Sequence, residues 1–339
     1  SSAASDVYKR QDHGQSAPKF LFEPPRRFCP NIRTPRKGTL STMILTLTPN
    51  PSIDATVRLN EALDPGAVHR AESVSSVAGG KGVNVTHAVT LANVDSLALL
   101  PAAPADPFLA LADDASIPVH AVHTAGAVRT NTTLTEPDGR TTKLNGPGPT
   151  LDESVQQDVA QAVAEHCANA EWIVMAGSLP KGVPTDWYTQ LITVAREANP
   201  NIRVAVDTSD APMVALGENL EVASPDLIKP NGLELGQLAN VDGQALEAAA
   251  ENGDFSGVVE AARVVVKRGI PEVLVTLGGA GAVLVTADEA WAATPPPITL
   301  RSTVGAGDSS LSGYILARRS GASYPCLLYT SDAADDPLR

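Results

Sequence analysis

From Met43 onward the chain alternates short apolar runs with stretches whose apolar residues recur every three or four positions. The runs "ILTLT" (44–48), "WIVMAG" (172–177), "RVAVDT" (203–208), "DLIKP" (226–230) and "EVLVTLG" (272–278) are short and mostly rich in β-branched residues, which predicts strands. The stretches 152–168 and 184–198 carry helical periodicity. Apolar strands separated by helices imply a parallel sheet buried on both faces, hence an α/β domain.

A second set of strands has another character. "ATVRL" (55–59), "AVHRAESVSSV" (67–77), "VHAVHTA" (119–125), "VRTNTTLTE" (128–136) and "RTTKLN" (140–145) alternate polar and apolar residues, and "PDG" (137–139) supplies a tight turn. Alternation of this kind predicts a small one-faced sheet, a β lid built from about 55–77 and 119–145. Its apolar residues Val119, Val122 and Leu134 need a cover, and a second copy of the chain would give one, as a homodimer through the lid.

Composition narrows the partners. With 25 Lys and Arg against 38 Asp and Glu, the formal charge of -13 leaves no basic stripe for nucleic acid. No apolar run approaches the ~20 residues that a spanning helix needs, so no membrane partner is expected. Cys29, Cys167 and Cys326 are far apart and lack CxxC spacing, which fits a reducing cytoplasm. Residues 1–42 hold eight basic residues against three acids, a net of +5 that leaves -18 for the rest. They show no lasting periodicity and are expected to be a non-domain extension, artefactual or disordered. Residues 325–339 are read likewise as a tail outside the domain of 43–324.

Candidate chemistry begins at "STVGAGDSSLSGY" (302–314). The pattern reads as a tight turn entering a helix, whose first amides, at Gly305, Ala306 and Gly307, form an anion site, with Asp308 beside them. An acid there is either a helix cap or a base that takes the proton of an alcohol attacking a phosphate. "AGGKGVNVTHA" (78–88) lacks the spacing of a nucleotide phosphate loop and leaves a glycine turn, Lys81 as a point charge, and Asn84 on the following helix. Asp54, in "NPSID", can grip sugar hydroxyls or cap a turn. Arg129 and Asn131 lie on the lid, where an arginine can clamp phosphate or be solvated. In "IKPNGLELGQL" (228–238), Asn231 and Glu234 have capping-box spacing and can also serve nucleotide phosphates and magnesium waters. "TLGGAGAVLV" (276–285) is a glycine turn between two strands.

Taken in order, "TPNPSIDAT", "VHRAESVSSVAGGKGVNV", "VRTNTT", "TKLNGPGP", "AGSLPKGVP", "VDTSDAP", "IKPNGLEL", "TLGGAGAVLV" and "STVGAGDSSLSGY" resemble the PfkB sugar-kinase family, most closely its 1-phosphofructokinase members. The resemblance implies a ribokinase-like three-layer α/β/α sandwich with a β lid, and transfer of the γ-phosphoryl group of ATP, with Mg²⁺, to fructose 1-phosphate. By motif it makes Asp308 the base and Gly305, Ala306 and Gly307 the anion hole. Asp54, Gly80, Lys81 and Asn84 would hold the sugar, with Arg129 and Ser178 near its phosphate. Lys229, Asn231, Glu234, Thr276, Gly278 and Gly281 would serve the nucleotide, with Mg²⁺ held through waters by Asn231 and Glu234 rather than directly. Tagatose 6-phosphate kinase and 6-phosphofructokinase of the same family are the rival activities. A non-catalytic sugar-phosphate-binding protein is the rival of another class. Family members continue beyond Tyr324 into further helices, so the apolar face of 311–317 is expected to lie open, with poor solubility or weak activity as the consequence.

Overall fold

The computed structural model describes residues 43–295 and 305–324. Its main sheet contains β1 (Met43–Leu47), β4 (Ser96–Ala102), β5 (Val119–His123), β8 (Ala170–Ala176), β9 (Arg203–Asp207), β10 (Leu227–Ile228), β11 (Glu272–Thr276), β12 (Ala282–Val285) and β13 (Ala290–Ala293). The spatial order is β13-β12-β11-β10-β9-β8-β1-β4-β5. Every pairing from β11 across to β5 is parallel, and β12 runs antiparallel to both its neighbours.

Alternation along each central strand sends side chains to two separate cores. Leu45, Leu47, Ile173, Met175, Val204 and Val206 face α3 (Glu153–Cys167), α4 (Trp187–Ala198), α5 (Asp210–Glu218), α6 (Gly232–Ala239), α7 (Gly243–Glu251) and α8 (Ser256–Lys267). Ile44, Trp172, Val174, Ala205 and Leu274 face α1 (Lys81–Leu91) and α9 (Ala306–Arg319). A third cluster around Val83, Ala98, Leu100 and Phe108 seats α2 (Pro107–Asp114), whose start is fixed by the Asp106 cap and a proline at the first turn. The result is the three-layer α/β/α sandwich expected from the strand pattern.

A separate four-stranded sheet, ordered β3-β2-β6-β7, forms the lid from β2 (Ser52–Leu59), β3 (Ala71–Gly79), β6 (Arg129–Thr135) and β7 (Thr141–Asn145). Register assigns its two faces. Asp54 stands opposite Asn131 and Val77, and Ser52 opposite Arg129, so the polar grips share one face. Val57, opposite both Val74 and Leu134, shares the other with Leu144. On that face Ile53 and Ala78 pack against the Phe108 cluster, while Val74 and Leu144 are 64% and 57% exposed.

Two expectations need correction. Residues 119–123 are the edge strand β5 of the main sheet, paired with β4, so Val119 and Val122 are not lid residues; Val122 is buried on the α3 side. Leu311, Tyr314, Ile315 and Ala317 are fully buried against the sheet and α1 rather than open, because the sheet itself takes the apolar face of α9. Tyr324 closes the end of this core by stacking on Trp291 at 4.9 Å and donating its hydroxyl to Glu272 Oε1 at 2.9 Å. β4 and β13 are main-sheet strands outside the apolar runs named above.

Candidate active site

The carboxyl ends of the parallel strands carry the polar groups. Asp207 ends β9, fully buried, and its two oxygens face two ammonium groups: Lys81 Nζ at 2.7 Å from Oδ1 and Lys229 Nζ at 3.0 Å from Oδ2. Burial alone would push the Asp207 carboxyl up, but Lys229 and Lys81 outweigh it and hold it below the ordinary range. Burial likewise pulls on the Lys81 ammonium, and Asp207 reverses the sign so that its pKa is raised. Lys81 arrives as the first residue of α1, just after Gly80, whose φ of 116° lets the chain turn sharply from β3 into the helix. Lys229 follows the short β10.

Asp308 lies in the first turn of α9 and is 8% exposed. Asn84 Nδ2 donates to its Oδ2 at 2.8 Å across the α1–α9 contact. Burial and the charge of Asp207 raise its carboxyl from 3.8 to about 6, against the opposing pull of Asn84, Lys229 and Lys81. A carboxyl poised there can hold or release a proton near neutral pH. Gly305 begins the helix in the left-handed region, φ 82°, and among the described residues no side chain caps the first amides. Lys229 Nζ closes over this entrance, since a Cβ on Gly307 would stand 3.0 Å from it. Residues 302–304 of the same motif lie outside the described residues.

On the lid side, Asp54 Oδ1 accepts from Ser52 Oγ at 2.7 Å and from Asn131 Nδ2 at 3.1 Å. Asn50 Nδ2 reaches Ser178 Oγ at 3.3 Å, joining the end of β1 to the turn after β8. Thr48 Oγ1, Asn50 Oδ1, Asn131 Oδ1 and Arg129 Nε are buried polar atoms without a hydrogen-bond partner among the described residues. Such atoms cost about 1–3 kcal/mol each unless a ligand or water satisfies them. Burial lowers the Arg129 guanidinium, with Asp54 opposing.

On the nucleotide side, Asn231 and Glu234 form a capping box: Glu234 N donates to Asn231 Oδ1 and Asn231 N to Glu234 Oε2, both at 2.8 Å. The cap uses one oxygen of the Glu234 carboxylate. Burial raises its pKa, the Asn231 amide opposes, and Lys81, Asp207 and Lys229 are close enough to act on it. Thr276 N donates to Pro230 O at 3.0 Å, which locks the end of β11 to that cap. Gly278, φ 56°, opens a single 3-10 turn with free space where a side chain would stand. Gly281, φ 107°, has a different cause: a Cβ would sit 2.0 Å from Ala293 O, so the packing of β13 demands a glycine.

The structure therefore brings Lys81, Asn84, Lys229, Glu234 and Asp308 into one electrostatic cluster, and Asp54 and Arg129 onto one lid face. The residue that joins the two lysines, Asp207, was missed from sequence. Its signal was an acid closing an apolar run at the carboxyl end of a parallel strand, where ligands gather.

A model of the pfkB family of carbohydrate kinases matches residues 47–328. The chain belongs to that family. Curated relatives named 1-phosphofructokinase include one from Xanthomonas campestris pv. campestris, 39% identical over 283 residues, covering 82% of this chain and 85% of that protein. Another, from Escherichia coli K12, is 30% identical over 299 residues, covering 87% and 91%. Among solved structures, phosphofructokinase-2 from Escherichia coli in complex with fructose-6-phosphate superposes with a TM-score of 0.76 at 29% identity, covering 86% and 92%. PfkB kinases take ATP as phosphoryl donor, generally with Mg²⁺. Among the described residues no helix is long and apolar enough to cross a membrane.

Proposed function

We propose that this pfkB-family chain transfers the γ-phosphoryl group of ATP to the C6 hydroxyl of fructose 1-phosphate, yielding fructose 1,6-bisphosphate. The observation that carries the reading is Asp308: buried, held by Asn84, raised to about 6, and set beside an uncapped helix entrance over which Lys229 closes. In this reading Asp308 takes the hydroxyl proton as the O–P bond forms, and the amides of Gly305, Ala306 and Gly307 with Lys229 hold the migrating group. Asp54, Asn84, Gly80 and Lys81 orient the sugar; Arg129 and Ser178 meet its phosphate. The buried unpartnered atoms of Thr48, Asn50, Arg129 and Asn131 support a polar ligand at this place.

Lys229, Asn231, Glu234, Thr276 and Gly278 serve ATP. Gly281 is proposed there only as the hinge that shapes the turn. The capping box leaves one Glu234 oxygen for a bound water, which fits Mg²⁺ held through waters by Asn231 and Glu234. Mg²⁺, when bound, supplies charge neutralisation for the nucleotide phosphates. The lid keeps water from the reacting phosphate. Its open apolar face, Val57, Val74, Leu134 and Leu144, supports a dimer of two such lids, and one solved form of the Escherichia coli phosphofructokinase-2 is described as tetrameric. The free, buried Cys167 suits a cytoplasmic enzyme.

Fructose 6-phosphate is the second reading, supported by the fructose-6-phosphate complex of the structural neighbour. A coupled ADP-release assay with ATP, Mg²⁺ and a panel of fructose 1-phosphate, fructose 6-phosphate and tagatose 6-phosphate decides. The highest kcat/KM is expected with fructose 1-phosphate; a preference for either 6-phosphate overturns the substrate, and no turnover with any of them overturns the activity.

A further inference from the structure

Outside the phosphoryl-transfer site, two imidazoles meet on the surface. Among the described residues β5 is the last strand of the main sheet; His120 lies on it, and His166 is in the last turn of α3. His120 Nδ1 and His166 Nε2 are 3.2 Å apart, and the rings cross edge to face at 72° with centroids 4.7 Å apart. The pair lies on the α3 face of the sheet, whereas Asn84 and Asp308 sit on α1 and α9, which cover the opposite face. Nothing in the kinase mechanism uses it.

We propose that His120 and His166 form a chelating site for a divalent transition-metal ion of the Zn²⁺ or Cu²⁺ class, with waters completing its coordination. The bite decides the chemistry. With metal–nitrogen bonds of about 2.0–2.1 Å, two nitrogens 3.2 Å apart subtend about 100–105° at the ion, close to a tetrahedral angle. A hydrogen bond between the rings uses the same distance, with one nitrogen protonated. Ion binding requires that proton to sit on the far ring nitrogen, a change of tautomer with no oxidant or other reactant, and a swing of both rings so that the lone pairs converge. His120 is exposed and His166 half-buried, so there is room for that swing.

Imidazole pairs select Zn²⁺, Cu²⁺ or Ni²⁺ and not Mg²⁺, which demands oxygen ligands. An ion held here would pin β5 to α3, so occupancy stabilises the fold without touching the reacting atoms.

The test uses the full chain without a histidine tag, stripped with EDTA and free of nucleotide, titrated calorimetrically with ZnCl₂ and, separately, MgCl₂. Saturable binding of one Zn²⁺ per chain and none of Mg²⁺ is expected, with a rise in melting temperature on Zn²⁺ addition. His120→Ala and His166→Ala should each weaken binding by at least about tenfold, while His123→Ala, on the other face of β5, should not. Metal-free melting curves check that the variants fold, and His→Gln replaces any that does not. Histidine ¹H–¹⁵N spectra give an independent readout: at saturation both facing nitrogens lose any attached proton. Absence of saturable Zn²⁺ binding, unchanged affinity in both variants, or a proton persisting on either facing nitrogen overturns the proposal and leaves a simple hydrogen-bonded pair.

Discussion

Removing the charge of Asp308 should make the protein more stable while destroying its activity. The carboxyl is 8% exposed and its pKa is raised from 3.8 to about 6, so the native state resists an ionisation that the unfolded chain accepts freely. At about 1.4 kcal/mol per pK unit, the ionised group withholds roughly 3 kcal/mol of stability above pH 6. The penalty shrinks as pH falls from 6 toward 4 and vanishes below the unfolded pKa, where both states are protonated. Asp308→Asn keeps an oxygen to accept from Asn84 and carries no charge, so it escapes the penalty. Melting curves of wild type and variant from pH 4 to pH 8 measure this. At pH 8 the variant should melt higher by roughly 5 °C or more, a gap that closes toward pH 4. Turnover, meanwhile, should fall by about 10²–10⁴-fold. A variant no more stable than wild type at pH 8, or a gap equal at both ends of the range, would refute the assignment of Asp308 as a strained, buried acid. Retained turnover would refute its role as base.

Two further substitutions have defined outcomes. Asp207→Asn removes a charge that raises Asp308, so the acid limb of the kcat/KM profile should move below its position near pH 6. Its melting temperature should drop too, because the buried Lys229 loses its counter-ion at a cost of about 3–5 kcal/mol; an unmoved acid limb would show that the two carboxyls do not communicate. Val74→Lys places a charge on the lid's open apolar face and should shift the molecular mass by light scattering from dimer to monomer. A monomeric wild type would dispose of the lid dimer.

Sequence alone determined the main outline because the main forces were local or periodic. Strands such as "WIVMAG" and "EVLVTLG" are buried on both faces, so they read as unbroken apolar runs, and helices between them leave a parallel sheet as the packing solution. The helix entrance at Gly305 and the capping box of Asn231 and Glu234 were legible because turn and cap chemistry depends on neighbours along the chain. What lay beyond it was pairing between distant segments. "VHAVHTA" alternates equally well as a lid strand or as the edge of the main sheet, and only the partner strand β4 decides between them. β4 itself, "SLALLPA", carries Pro101 next to its last residue, where it is tolerated because the pairing with β1 stops at Leu99. Gly281 looks like a nucleotide glycine until the carbonyl of Ala293 is seen where its side chain would stand. Asp207 gains its meaning from lysines that are 126 and 22 positions away in sequence. Neither charge is visible from the strand that ends in Asp207, and it took the folded sheet to bring all three to one edge.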